Sequence, residues 1–200
     1  MNPPSLSTLS LSLEQGIAEI RLNRPDKSNA MNDAMWQEIR QAFDWVDATP
    51  EARVAILSGA GRNFCAGIDL TLLAGIQQRI AHPDAARSRE ALRRLILDLQ
   101  DCLSSVERCR KPVLAAIQGA CIGGALDLVT SCDMRYAAAD AVFSVREIDL
   151  GMVADVGTLQ RLPRLIPEGA ARELAFTGRN FRAEEGERLG LINRVFASNE

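Results

Sequence analysis

The chain has 200 residues, 47% of them apolar, 24% charged and 4% aromatic, enough for one domain with a sizeable core and unlike a disulfide-stapled miniprotein or a disordered tail. A formal net charge of -3, from 23 Lys plus Arg against 26 Asp plus Glu, lacks the basic footprint that nucleic-acid binding requires. No apolar run approaches the roughly 18 residues of a membrane span, and MNPPSLSTLSLSLEQG has neither a basic start nor an apolar signal core, so a cytoplasmic location is expected.

IAEIRL (17–22) alternates apolar and polar residues, as a strand does, and Pro25 in the turn-forming run NRPDKSNAMN stops it. From Asp33 to Ala48 the residues Met35, Trp36, Ile39, Phe43 and Val46 recur at three- and four-residue steps, which predicts an amphipathic helix ending near Thr49-Pro50. VAILSG (54–59) and PVLAAIQG (112–119) are short continuous apolar runs and predict strands buried on both faces of a parallel sheet. One long helix is expected between them. Its face is marked by Leu92, Leu95, Ile96, Leu99, Leu103 and Val106, with Arg87, Arg89, Arg93 and Arg94 in solvent. A glycine turn then leads to a helix over about 124–132, strands at MRYA (134–137) and VFSV (142–145), and an acidic loop. Helices around TLQRLPRLI and EGAARELAFT follow, and AEEGERLGLINRVF closes the chain. Strands alternating with helices imply an α/β fold whose ligand site lies near the carboxyl ends of the strands.

Five cysteines, Cys65, Cys102, Cys109, Cys121 and Cys132, have no CxxC spacing and read as reduced core residues. The single histidine, His82, lies in a polar stretch that reads as a loop, so a Ser-His-Asp triad or multi-histidine metal site would have to be built on it. Acid–base chemistry therefore falls to carboxylates. Two strand ends carry glycine-containing loops that feed helices, GRNFCAGIDL (61–70) and QGACIGGALDL (118–128), and neither is a P-loop or a dinucleotide fingerprint. They offer unhindered backbone N–H groups, the second loop's aimed by a helix starting near Gly124, and two such donors would make an oxyanion hole if they converged. Two tight turns are the plain alternative. Asp127 lies one turn into that helix, and Glu147 and Asp155 lie in SVREIDLGMVADVGTLQ, so folding of 146–156 over the helix end would gather three carboxyl groups. Each also has a structural alternative: Asp155 as a cap for a helix near Val156, Glu147 as a solvated loop residue, Asp127 as a partner of the helix dipole. Asp69, Asp133 and Asp149 are assigned to capping or structural bonding.

Four features in register, NRPDKSNAM, FCAGIDL, QGACIGGALDL and the acidic loop ending in GTLQRLPRL, make residues 17–195 resemble the enoyl-CoA hydratase/isomerase (crotonase) superfamily. The resemblance implies an α/β fold with a crotonase-like repeated β-β-α spiral core, helices around it, and a single acyl-CoA-binding domain over 1–200. Family members run further past the point where NRVFASNE ends here and form homotrimers or hexamers, so the C-terminal trimerisation helices are expected to be absent or truncated. GGALD stands where many relatives have three glycines, and the extra methyl group of Ala125 is expected to be tolerated.

Within the superfamily the pattern Asp127, Glu147 in a VxE-x-D segment and Asp155 in ADVGTLQRLP resembles the branch that isomerises 3,5-dienoyl-CoA to 2,4-dienoyl-CoA in fatty-acid β-oxidation. A hydratase pattern has glutamates at the positions of Asp127 and Glu147 and a non-acidic residue at 155. The resemblance implies an oxyanion hole from the N–H groups of Ile68 and Gly124, within a substrate-binding segment of Ala66, Gly67, Ile68, Asp69 and Leu70. It implies CoA contacts near Ser28 and Ala30, Asp155 as base at C2, Glu147 as acid at C6, and Asp127 as the group that orients or tunes them. Reversed roles for Glu147 and Asp155 fit the same sequence. No metal or redox cofactor is implied, coenzyme A being part of the substrate, and neither nucleic acid nor membrane is an expected partner. The alternatives are an enoyl-CoA hydratase, another crotonase-fold acyl-CoA enzyme, and a non-catalytic acyl-CoA-binding protein.

Overall fold

A computed structural model describes residues 3–198. In chain order its elements are β1 (Leu9–Glu14), β2 (Ile17–Leu22), α1 (Asp33–Ala48), β3 (Val54–Gly59), α2 (Leu70–Ile80), α3 (Ala85–Arg108), β4 (Val113–Ile117), β5 (Ala120–Ile122) and α4 (Gly124–Thr130). There follow β6 (Met134–Ala138), β7 (Val142–Ser144), α5 (Thr158–Leu165), α6 (Glu168–Thr177), β8 (Phe181–Arg182), α7 (Ala183–Leu189) and β9 (Arg194–Phe196). Short 3-10 turns occupy Pro25–Lys27 and Glu147–Leu150.

Six strands form one sheet in the order β1-β2-β3-β4-β6-β9, antiparallel between β1 and β2 and parallel from β2 onward. A second sheet has the order β5-β7-β8. The chain repeatedly lays a strand in the large sheet, a short extended piece beside the small one, and then a helix. In the second repeat that extended piece is a single bridge, Cys65 to Cys121. This is the repeated β-β-α spiral that the motifs implied.

Three local differences from the sequence reading have physical causes. The strand β1 lies outside the predicted elements, although Leu9, Leu11 and Leu13 alternate with serines and face the core side of β2. The expected single helix is two: Pro83 disfavours helical backbone at His82, and Asp84 restarts the chain by accepting from the Ala86 N–H at 2.8 Å. Finally, β3 and β4 are buried on one face only. Ala55, Leu57, Val113, Ala115 and Ile117 are in the core, whereas Val54, Ile56, Leu114 and Ala116 are half-buried on the other side. The cysteines are free thiols, four buried and Cys109 partly so.

Candidate active site

The two glycine-containing loops meet edge to edge. Phe64 and Cys65 donate to the carbonyls of Gln118 and Ala120 at 2.7 and 2.9 Å, and Ile122 donates back to Cys65 at 3.2 Å. On the other flank Met31 donates to Gly67 at 2.8 Å and Asp69 to Met31 at 3.0 Å, which leaves the Ile68 N–H between them pointing the other way without a partner. Gly67 has φ +94, and a methyl group there would lie 2.5 Å from the Ile122 carbonyl oxygen and 3.5 Å from the Gly124 nitrogen. Only glycine therefore lets the first loop pass this close to the second. Gly124 opens α4 after Gly123, so its N–H is one of the helix donors with no carbonyl inside the helix. Ile68 and Gly124 border the same cavity of about 380 Å³.

Two of the three singled-out carboxylates border that cavity as well. Glu147 opens the 3-10 turn and lies against Gly123, and its Oε2 is buried with no hydrogen-bond partner. Asp155 is half-buried on the same wall. Leu73, Ile76, Leu92, Leu95, Ile96 and Leu99 from α2 and α3 make the rest of the lining largely apolar. Burial raises the Glu147 carboxyl above its ordinary range, and the Asp155 charge adds to the rise. Burial likewise raises Asp155. Both shifts favour the protonated form, the direction that an apolar pocket gives a carboxyl group.

Asp127 is placed differently from its two companions. It is sealed behind the wall, fully buried, with Oδ1 accepting the N–H of Thr158 at the start of α5 and Oδ2 unpartnered. Burial, with the Glu147 charge second, pushes its pKa up to about 7. Asp127, and not Asp155, thus serves the terminus of the helix near Val156, whose cap position is Gly157.

The remaining residues of the substrate-binding segment divide similarly. Ala66 donates to the Ser28 carbonyl at 2.9 Å, and Asp69 caps α2 through the Thr71 N–H and pairs with Arg24 at 2.9 Å. Leu70 is 66% exposed. Ala66, Asp69 and Leu70 frame the hole without lining the cavity. Ser28 takes left-handed backbone and its hydroxyl accepts from Asn63, while the Ala30 carbonyl accepts from Arg24, so the 24–31 loop is tied to the oxyanion loop. Asp133 accepts the Val113 N–H and Asp149 pairs with Arg146, both structural bonds. His82 is exposed, and its Nδ1 accepts the Asp84 N–H. Sequence reasoning missed the cavity wall from Leu73 and Ile76; the apolar run LTLLAGI directly behind the capping Asp69 was the available signal.

Comparison with known proteins gives the family of the chain. The sequence model of the enoyl-CoA hydratase/isomerase family matches residues 12–200. The chain is 45% identical over 195 residues to the peroxisomal Delta(3,5)-Delta(2,4)-dienoyl-CoA isomerase of Arabidopsis thaliana, covering 97% of this chain and 70% of that protein. It is 45% identical over 190 residues to the mitochondrial Delta(3,5)-Delta(2,4)-dienoyl-CoA isomerase of Homo sapiens, covering 94% of this chain and 58% of that one. Among solved structures, an enoyl-CoA hydratase/isomerase from Xanthobacter autotrophicus Py2 superposes with a TM-score of 0.87 at 32% identity, over 98% of this chain and 69% of its own.

Proposed function

The chain belongs to the enoyl-CoA hydratase/isomerase family, and from that premise we propose that it moves the double bonds of a 3,5-dienoyl-CoA to the 2,4 positions. The observation that carries the reading is the placement of Glu147 and Asp155, with Gly124 and Ile68, on one apolar-walled cavity while Asp127 is turned away from it. A thioester α-proton is too weakly acidic for a carboxylate base unless charge on the thioester oxygen is stabilised as it develops. The free N–H groups of Ile68 and Gly124 supply that stabilisation, and one such donor is worth about 2.7–4 kcal/mol of barrier.

In the proposed reaction Asp155 takes the proton from C2, and the electron pair of that bond spreads through the thioester and diene as an extended dienolate. Glu147 delivers a proton to C6, the C2=C3 and C4=C5 bonds form, and passage of the Asp155 proton to Glu147, directly or through solvent, restores the enzyme. The separation of acceptor and donor along the substrate explains why two carboxyl groups are needed. A hydratase reading would use Asp127 and Glu147 as the water-activating pair, and Asp127 is engaged with Thr158 behind the wall.

The 24–31 loop is proposed to meet the adenine end of CoA through backbone atoms near Ser28 and Ala30, and the chemistry uses no cofactor beyond the CoA of the substrate. Assembly into trimers or hexamers is likewise a proposal. The two named isomerases are peroxisomal and mitochondrial; for this chain a cytoplasmic location is proposed, and among the described residues no helix is long and apolar enough to cross a membrane.

The test is an ultraviolet assay with a 3,5-dienoyl-CoA, following the conjugated 2,4-dienoyl thioester, on wild type and Asp155→Asn. The band is expected in wild type and is expected to be lost in the variant. Absence of the band in both would overturn the reading.

A further inference from the structure

The segment 155–158 lies outside regular structure until its last residue, yet each of its four residues is gripped by a group outside it. The Asp155 carbonyl accepts from the Gln100 side-chain amide at 2.5 Å. The Val156 carbonyl accepts from the Arg161 guanidinium at 3.4 Å. Gly157 has φ +137, and a methyl group there would lie 1.7 Å from Arg161 Nη1, so the guanidinium rests directly against the chain at a point only glycine permits. Thr158 donates to Asp127.

Arg161 is itself held. It is 9% exposed, pairs with Glu107 at 2.8 Å and donates to the Ser104 hydroxyl at 3.2 Å. Gln100, Ser104 and Glu107 stand at i, i+4 and i+7 on α3 and so share one face of it. They border a second cavity of about 400 Å³, which shares only Asp155 and Val156 with the substrate cavity. On the other side of Asp155 the chain has only short local turns, and Val153 is 65% exposed. Beside the Thr158–Asp127 bond and the burial of Ala154, the grip from α3 and Arg161 supplies the hydrogen bonds that tie the 155–156 carbonyls to the rest of the fold.

We propose that Gln100 and Arg161 are positioning residues, which fix the 155–157 backbone and thereby set where the Asp155 carboxylate stands on the cavity wall. The proposal rests on the acid–base role given above to Asp155. A group that must reach a substrate carbon depends steeply on placement, and a 1 Å error costs about a hundredfold in rate.

The experiment compares Gln100→Leu, Arg161→Met and Arg161→Lys with wild type, reading kcat and KM on a 3,5-dienoyl-CoA together with amide hydrogen exchange of peptides spanning 152–160. In Gln100→Leu and Arg161→Met, kcat is expected to fall about ten- to a hundredfold while KM changes by less than about threefold. Exchange should quicken over 152–160 and stay unchanged in β3 and β4. Arg161→Lys keeps a charge for Glu107 but loses the planar fork, so it should recover part of kcat. A purely structural ion pair would lower thermal stability and leave kcat of the folded variant alone, and that result overturns the proposal. If Arg161→Met does not fold, Gln100→Leu, which removes one hydrogen bond and no charge, decides. If wild type does not isomerise the substrate, the proposed function fails separately, and exchange alone decides whether the grip fixes the segment.

Discussion

The two walls of the cavity are built by different means. The oxyanion wall is stitched by main-chain bonds between residues far apart in sequence: Met31 with 67–69, Cys65 with Ala120 and Ile122, Gly123 with Ser144. The acid–base wall, 146–157, has mostly short-range bonds of its own, such as Met152 to Glu147 and Asp155 to Val153. It is joined to the body chiefly through side chains. The difference matches the tasks: donors for a developing charge act through fixed geometry, whereas an acid and a base act through carboxyl groups whose protonation must change each turnover. The first wall should fail when a Cβ is forced into it, and the second when a side chain loses its titratable group.

The largest effect belongs to the second wall. Glu147→Gln keeps shape and removes the proton donor, so kcat is expected to fall about 10²- to 10⁴-fold, measured by stopped-flow absorbance with binding of a CoA thioester retained. A fall below tenfold would remove Glu147 from the chemistry. On the first wall, Gly67→Ala forces a methyl group against the Ile122 carbonyl at 2.5 Å and opposes φ +94. The Ile68 N–H then moves off target, and the expected loss is about 10²- to 10³-fold in kcat, the value of one donor. Wild-type kcat in a folded Gly67→Ala protein would refute that role for Ile68.

A smaller effect separates Asp127 from both walls. Its folded-state pKa of about 7 lies above the ordinary 3.8, so between those values the folded state holds a proton that the unfolded chain has released. Stability therefore falls as pH rises from about 4 to 7 and stays lower above 7, by roughly a few kcal/mol at most. Glu147 and Asp155 are raised too and act in the same direction. The thermal midpoint is expected to be higher at pH 5.5 than at pH 8. Asp127→Asn keeps an oxygen for the Thr158 N–H and removes the titration, so its midpoint should change less over that range. An equal change in both proteins would show that Asp127 does not titrate there.

The same division governs what could be read from the sequence. Local periodicity marked β2 and α1, whose apolar faces bury in one direction, whereas β3 and β4 were legible only as short continuous apolar runs, which do not disclose that one of their faces is half-buried. It did not separate α2 from α3, since the only buried residue of α2 is Ile80 and its Leu73 and Ile76 face a cavity. Gly67 and Gly124 drew notice as glycines at strand-to-helix turns, yet that their loops meet depends on the Cys65–Cys121 bridge between distant residues. The partner of Asp127, Thr158, is likewise 31 residues away. No spacing rule links such positions, so a turn into a helix gave no sign that Asp127 would face inward while Glu147 and Asp155 faced the cavity.

The smallest expected effect is the sharpest comparison, because Gly124 sits across the same hole as Gly67 under different constraints. Its backbone is outside the left-handed region, and a methyl group there would meet the Met31 Cε at 2.9 Å and the Trp36 ring at 3.7 Å. The second distance is ordinary contact. The first involves the free end of a flexible side chain, which can yield by a few tenths of an ångström. Gly124→Ala keeps the N–H that the hole uses, so its kcat should fall by only about threefold to tenfold, well short of the loss of a donor. If Gly124→Ala proved as damaging as Gly67→Ala, the oxyanion wall would depend on side-chain room at both loops, and main-chain stitching would not be what holds its donors in place.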